Sequence, residues 1–427
     1  MLMIKRLMAA GLSALLLSTA VVPAFAADET AETEETEQNG QTGEAEENGP
    51  VKLTFDTLEQ TVRENNISIK AYDNTIKGAE ETDVDDQYEE SLDELELQIW
   101  SYKSQISQLQ ESLNGITGEN SEALKAAIKA QIAMLQSSLS ALQSSYDDME
   151  DQRDDAAEDQ EKTVDSTRRE MGNAADLICM NAENTYIQLQ SMQYSFAEAA
   201  RSLAQLDRNI AMTEKQLALG MVGENTLKSL QSQRETLLAS QSALQTQLDA
   251  LTNTLALQCG LALGTEIEIE PVPVLTQEQL DAMSYETDLA EALENSYSIW
   301  ASEQAVEDAS DDYANGVTDN LYTFEAAKIE RDAEKENVTA SFRALYKDVG
   351  ESVDACAAAQ SNLEQAEKTF AVQQLQYELG MISEMAYADA QDTLAAAQES
   401  TQTAEIELFT AYNTYQWAKR GVMSSAA

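Results

Sequence analysis

The chain has 427 residues, with 77 acidic against 26 basic side chains, no histidine and a formal charge of −51. A surface of that sign repels nucleic-acid phosphates and anionic lipid, and the solubility of a long helical surface is sufficient reason for it. Without histidine the usual general base, the imidazole metal ligand and the Ser–His pair are all missing, so an enzymatic reading finds no support and no catalytic, cofactor or metal residues are assigned.

In chain order, residues 1–26 read as a secretory signal: Lys5 and Arg6, an apolar run to Val22, then Ala24, Phe25 and Ala26 before the cut. Residues 27–50 hold nine Asp or Glu, no Lys or Arg and no large apolar side chain, so they read as a disordered acidic linker. "VKLTF" and "EIEIEP", with Leu53, Phe55, Ile267 and Ile269, each suit one short strand of a small belt. Asp56 with Glu59 three residues later suits a capping box at the first helix.

The only prolines are Pro23, Pro50, Pro271 and Pro273, so nothing breaks a helix by removing a backbone donor between Val51 and Glu270 or after Pro273. Ala, Gln, Glu, Leu and Ser dominate both stretches, and the fold class is all-α. Leu92, Leu95, Ile99, Tyr102, Ile106, Leu109 and Leu113 step by 3 and 4 as a heptad seam. "NGITGEN" turns the chain, and Ile132, Leu135, Leu139, Leu142, Tyr146 and Met149 step back the same way. A coiled-coil hairpin is expected over about 88–160, followed by a long helix from about Asp165 to Leu219. Cys179, Cys259 and Cys356 are too few and too far apart for a disulfide framework or a CxxC site, and read as small apolar residues.

The chain writes one pattern twice. With Gly220 set on Gly380, Leu219 falls on Leu379, Met221 on Met381, Val222 on Ile382, Glu224 on Glu384 and Gln231 on Gln391. "RENNISIK" from Arg63 matches "LENSYSIW" from Leu293 at a second offset, the difference of 70 residues falling in the coiled-coil insertion. The expected organisation is a first repeat over 51–275 carrying the insertion, a second over 276–420, and a tail over 421–427. Each glycine, followed by an apolar pair, suits the tip of an antiparallel helical hairpin, with a tolerated mid-helix glycine as the alternative.

"QLQYELGMISEMAYADAQDTLAAAQ" and "ALTNTLALQCGLALGTEIEIEPVPV", in two tandem copies, resemble the outer membrane efflux protein family, the TolC family, over about Leu53 to Ala418. The resemblance implies a homotrimer whose long antiparallel hairpins form a hollow tube. It implies hairpin tips, here Leu219, Gly220, Met221 and Val222 with Leu379, Gly380, Met381 and Ile382, that meet a membrane-fusion-type adaptor protein serving an ABC or proton-driven pump.

It also implies a location in the cell envelope, in the outer membrane or periplasm, or at the cell surface where there is one membrane. Tyr377 stands in the family's tip tyrosine place and Asp389 in one of two entrance-acid places. Ile382, Thr226 and Ala386 stand where the family has the arginine and aspartate of the tip latch and the other entrance acid. Departures are expected too. "DDYANGVTDNLYTF", from Asp311 to Phe324, is too short for two membrane strands of 9–11 residues each, and a helical hairpin replaces them in the first copy. No direct membrane span is expected. The alternative reading is a structural or interaction coiled-coil protein of the envelope that has lost transport.

Overall fold

The structure is a computed structural model that describes residues 50–117, 121–314, 316 and 321–423. The expected signal and nearly all of the expected acidic linker lie outside the described residues. Among the described residues two short strands and ten helices follow in order: β1 (Val51–Leu53), α1 (Phe55–Asn65), α2 (Ile67–Glu80), α3 (Asp85–Gly115), α4 (Glu122–Ala218), α5 (Glu224–Gln258), β2 (Ile267–Ile269), α6 (Gln277–Asp281), α7 (Tyr285–Asn295), α8 (Tyr297–Ala314), α9 (Leu321–Glu378) and α10 (Glu384–Lys419). The fold is all-α, built from long antiparallel hairpins.

The two strands pair with each other in parallel, Val51 opposite Ile267 and Leu53 opposite Ile269. Their ends are pinned by Tyr186 of α4, whose hydroxyl donates to the carbonyls of Leu53 at 3.0 Å and Glu270 at 2.6 Å. Burial pushes that phenol up to about 12, so it remains a donor across the physiological range. All three cysteines are buried free thiols, as their spacing predicts.

The heptad seam folds as read. Leu92, Ile99, Ile106 and Ile132 are buried between α3 and α4, and the other seam residues are half-buried. No helix end falls near residue 160, the expected end of the insertion. The return arm of the hairpin and the long helix to the first glycine are one uninterrupted α4 of 97 residues, about 145 Å at 1.5 Å per residue. No residue between Met149 and Asp165 is Gly or Pro, so helix propagation meets no local cost there.

The expected capping box is also corrected. The N-cap of α1 is Thr54, with no side-chain cap bond; Thr54 Oγ1 pairs instead with Thr57 Oγ1 at 2.7 Å. Glu59 is drawn sideways by Arg63 Nη2 at 2.8 Å and Arg420 Nη1 at 3.0 Å, where a charge-assisted pair outcompetes a cap. Helices α8 and α9 leave only residues 315–320 between them, fewer than one membrane strand needs. No helix among the described residues is long and apolar enough to cross a membrane.

The two halves share a joint. Chain direction changes between α1 and α2 at Asn66, whose carboxamide accepts from the Ser68 and Ile69 amides, and between α7 and α8 at Ser296. Against each bend packs a glycine with positive φ closing a long helix: Gly260 after α5 at φ 69 and Gly421 after α10 at φ 86. A Cβ on Gly260 would stand 2.4 Å from the Asn65 carbonyl oxygen, and one on Gly421 would stand 2.3 Å from that of Asn295. Asn66 ties the first joint by donating from Nδ2 to the Gln258 carbonyl at 2.9 Å.

Candidate docking tips

Helix α4 ends in a Schellman turn. The Gly220 amide donates to Leu217 and the Met221 amide to Gln216, both at 2.9 Å, with Gly220 at φ 74. Helix α9 ends identically, with Gly380 donating to Tyr377 at 2.9 Å, Met381 to Gln376 at 2.8 Å and φ 68. A Cβ on either glycine would meet nothing within 4 Å, so the left-handed backbone alone selects glycine there. The next helices restart at once. Thr226 donates its amide to Gly223 at 3.1 Å, and Ser383 Oγ accepts from the Ala386 amide at 3.2 Å. Glu224 and Glu384 then sit in first turns, where a negative charge suits the helix dipole.

Both tips lie at one end of the molecule. Arg201 of α4 pairs with Glu399 of α10, and Arg208 with Asp392. One helix runs toward its tip while the other leaves its own, and each pair is seven residues from the next, two helical turns. Continuing that register sets Gly220 beside Gly380. Arg234 of α5 bonds Asp207 of α4 at 2.6 Å, tying the first tip's second arm to its first.

The tips end in apolar side chains. Leu219, Met221, Leu379 and Met381 are between 66 and 75 % exposed, while Val222 and Ile382 are half-buried beneath them. Together they form an exposed cluster of Leu and Met on an otherwise strongly charged chain. Tyr377 stacks flat on Tyr387 of α10, ring centroids 4.4 Å apart, cross-linking the two arms below the second tip. Asp389 lies exposed two residues beyond Tyr387 on α10.

Two buried carboxylates at the far end of α10 escaped sequence reading. Glu183 of α4 accepts from Trp417 Nε1 at 2.6 Å and Asn413 Nδ2 at 2.8 Å. Burial pushes its carboxyl above the usual range, and those two donors only partly offset the push. Asp288 of α7 accepts from the Tyr415 hydroxyl, from Lys419 Nζ at 2.6 Å and from the Ser284 amide at 2.9 Å. Burial presses that carboxyl upward, but the three donors together outweigh it and hold it below the usual range. Among the described residues no group of His, Cys, Asp or Glu is arranged to hold a metal ion.

The fold is one of long, paired helical hairpins with exposed apolar tips at one end. A family model described as FlxA-like protein matches residues 75–176, about a quarter of the chain. No curated protein matches the sequence. Among solved structures, the outer membrane protein VceC from Vibrio cholerae is similar at 12% identity, covering 86% of this chain and 96% of that one, with a TM-score of 0.44. The CmeC outer membrane channel of Campylobacter jejuni is similar at 9% identity, 95% and 96% coverage and a TM-score of 0.43. The Neisseria gonorrhoeae MtrE outer membrane channel gives 12% identity, 86% and 89% coverage and a TM-score of 0.40. At TM-scores below 0.5 these likenesses assign no property to this chain.

Proposed function

We propose that the chain is a TolC-like extracytoplasmic duct component of a multi-part efflux or export system, performing no chemistry of its own. The observation that carries this reading is the pair of glycine-capped tips, set side by side at one end and exposing Leu219, Met221, Leu379 and Met381. In this reading three copies form the tube from two tandem repeats each. The tips dock on the helical hairpin tips of an adaptor protein, and the adaptor joins the duct to an ABC or proton-driven pump. Tyr377 and Asp389 face the entrance, and the chain works in the cell envelope after its signal is removed.

A second reading rests on a specific observation. Only six residues separate α8 from α9, and a helical hairpin occupies the corresponding place in the first half. A chain so built suits a structural coiled-coil protein of the envelope that no longer transports.

The test between them is capture of a membrane-fusion-type adaptor protein. Gly220→Val with Gly380→Val forces a β-branched residue into positive φ at both turns, where an added Cβ itself meets nothing within 4 Å. The double variant is expected to lose at least tenfold in adaptor binding while keeping its helical content. Undiminished capture removes the tips from the docking surface.

A further inference from the structure

The α3–α4 hairpin carries a band that fits neither a solvated coiled coil nor the rest of this chain. A two-helix hairpin buries one seam and normally covers its remaining positions with charge. From Leu97 to Gln110 on α3 the only charged residue is Lys103, and from Ala130 to Tyr146 on α4 there is none. At the chain's overall 24% charged residues, these 14 and 17 positions would carry about seven charges; they carry one. The two stretches lie side by side, since Ile99 and Lys103 share a cleft with Ser140, Gln143 and Ser144. The neutral band therefore passes around the hairpin and extends about 21 Å along it.

Its border away from the hairpin turn is sharp on both arms. Asp85 to Glu96 holds seven acids, and Asp147 to Glu161 holds nine acids with one arginine. Within the band the seam residues Ile99, Ile106 and Ile132 are buried, yet Leu97 and Trp100 are each 69 % exposed and Met134 is 73 % exposed. Leaving a tryptophan and two aliphatic side chains in water forgoes about 25 cal/mol per Å² of apolar surface, which a covering partner recovers.

We propose that the covering partner is a second copy of this chain, so that the α3–α4 hairpins of neighbouring copies pack together through the neutral band. Charge selects that occupant. Two chains of net charge −51 repel wherever their acidic surfaces approach, and the band is where the repulsion between hairpins vanishes. Its one charge, Lys103, is positive and is attracted to the acidic border of a neighbour. Alanine and serine let helices approach closely, and glutamine pairs across an interface without charge. Half of the band is Ser or Gln, too polar for the interior of a bilayer. The inference stands on the hairpin alone and does not require the duct reading, because a non-transporting coiled-coil protein would associate through the same band.

The test is sedimentation equilibrium of the chain from Ala27 onward, between about 1 and 100 µM, for the wild type and for Leu97→Glu with Trp100→Glu and Met134→Glu. All three side chains are exposed, so helical circular dichroism is expected to remain unchanged, and Trp100→Lys alone serves as a milder variant. Val372→Glu with Leu375→Glu on α9, also exposed but outside the band, is the control. The triple variant is expected to associate at least tenfold more weakly than the wild type, Trp100→Lys to fall between them, and the control to match the wild type. Equal association of triple variant and wild type, or a wild type that stays monomeric throughout, overturns the proposal. Trp100-dependent flotation of a monomer with neutral phosphatidylcholine vesicles would assign the band to lipid and overturn it too.

Discussion

Gly421→Ala unfolds the closing joint of the second half and lowers stability by about 3 kcal/mol. The added methyl meets two costs at once: a left-handed backbone at φ 86 disfavours any side chain by about 1–2 kcal/mol, and the Cβ would sit 2.3 Å from the Asn295 carbonyl oxygen, with the Ser296 nitrogen 2.7 Å away. Both neighbours are backbone, so no rotamer change relieves the contact, and forcing them apart adds about 1–3 kcal/mol. Gly260→Ala is expected to act alike on the first joint, where the Asn65 backbone takes the same place. The tip glycines provide the control, because a Cβ there meets open space. Gly220→Ala and Gly380→Ala are expected to cost only about 1 kcal/mol each, and Gly→Asn at the tips still less. Denaturant midpoints by circular dichroism check the ranking. Equal shifts for Gly421→Ala and Gly380→Ala would show that the joint yields where the structure has it rigid.

Asp288→Ala is expected to cost about 3 kcal/mol at neutral pH. It leaves the buried Tyr415 hydroxyl without its acceptor and Lys419 without its closer carboxylate, and removing one member of a buried, hydrogen-bonded pair is among the most damaging single changes. The sign of the pH dependence follows from the depressed folded-state pKa. Asp288 contributes stability that is fully present above its unfolded value of about 3.8 and is lost as pH falls through the lower folded value. The wild type therefore loses stability on that acid limb, and Asp288→Ala flattens it.

Glu183 has the opposite sign. Its raised pKa means that ionisation costs stability above about 4.5, so Glu183→Gln, whose carboxamide oxygen still accepts from Trp417 and Asn413, is expected to be neutral or stabilising at pH 7. Urea titrations of the three proteins at pH 3.5 and pH 7 check both signs.

Sequence pattern carried the helical class, the heptad seam of α3 with α4, the two short strands and the glycine turns, because each leaves a local mark of period or residue type. Other features left none. The continuity of α4 across residues 149–165 is invisible because both an insertion boundary and plain helix are written there in Glu, Asp and Gln. Glu183 and Asp288 could not be told from the other acids in a chain with 77 of them, since their burial is set by Trp417 and Tyr415, far away in sequence. One signal was present and unread. Arg201 and Arg208 are seven apart, as are Asp392 and Glu399, the spacing of a two-rung ladder between antiparallel helices. Gly421 also repeats Gly260, each closing a long helix before an apolar residue and packing against the asparagine that ends a short helix of the same half, Asn295 and Asn65.

The tip glycines and their exposed neighbours come together at one end, and Asp389 lies exposed along α10. Whether these hairpins enclose a conduit depends on how many copies assemble. The most direct measurement is the solution mass of the chain from Ala27 onward by light scattering, in buffer without detergent. The duct reading predicts a stable particle of three chains. A stable single chain would mean that the hairpins close on themselves, contradicting a duct and leaving the structural coiled-coil reading in its place.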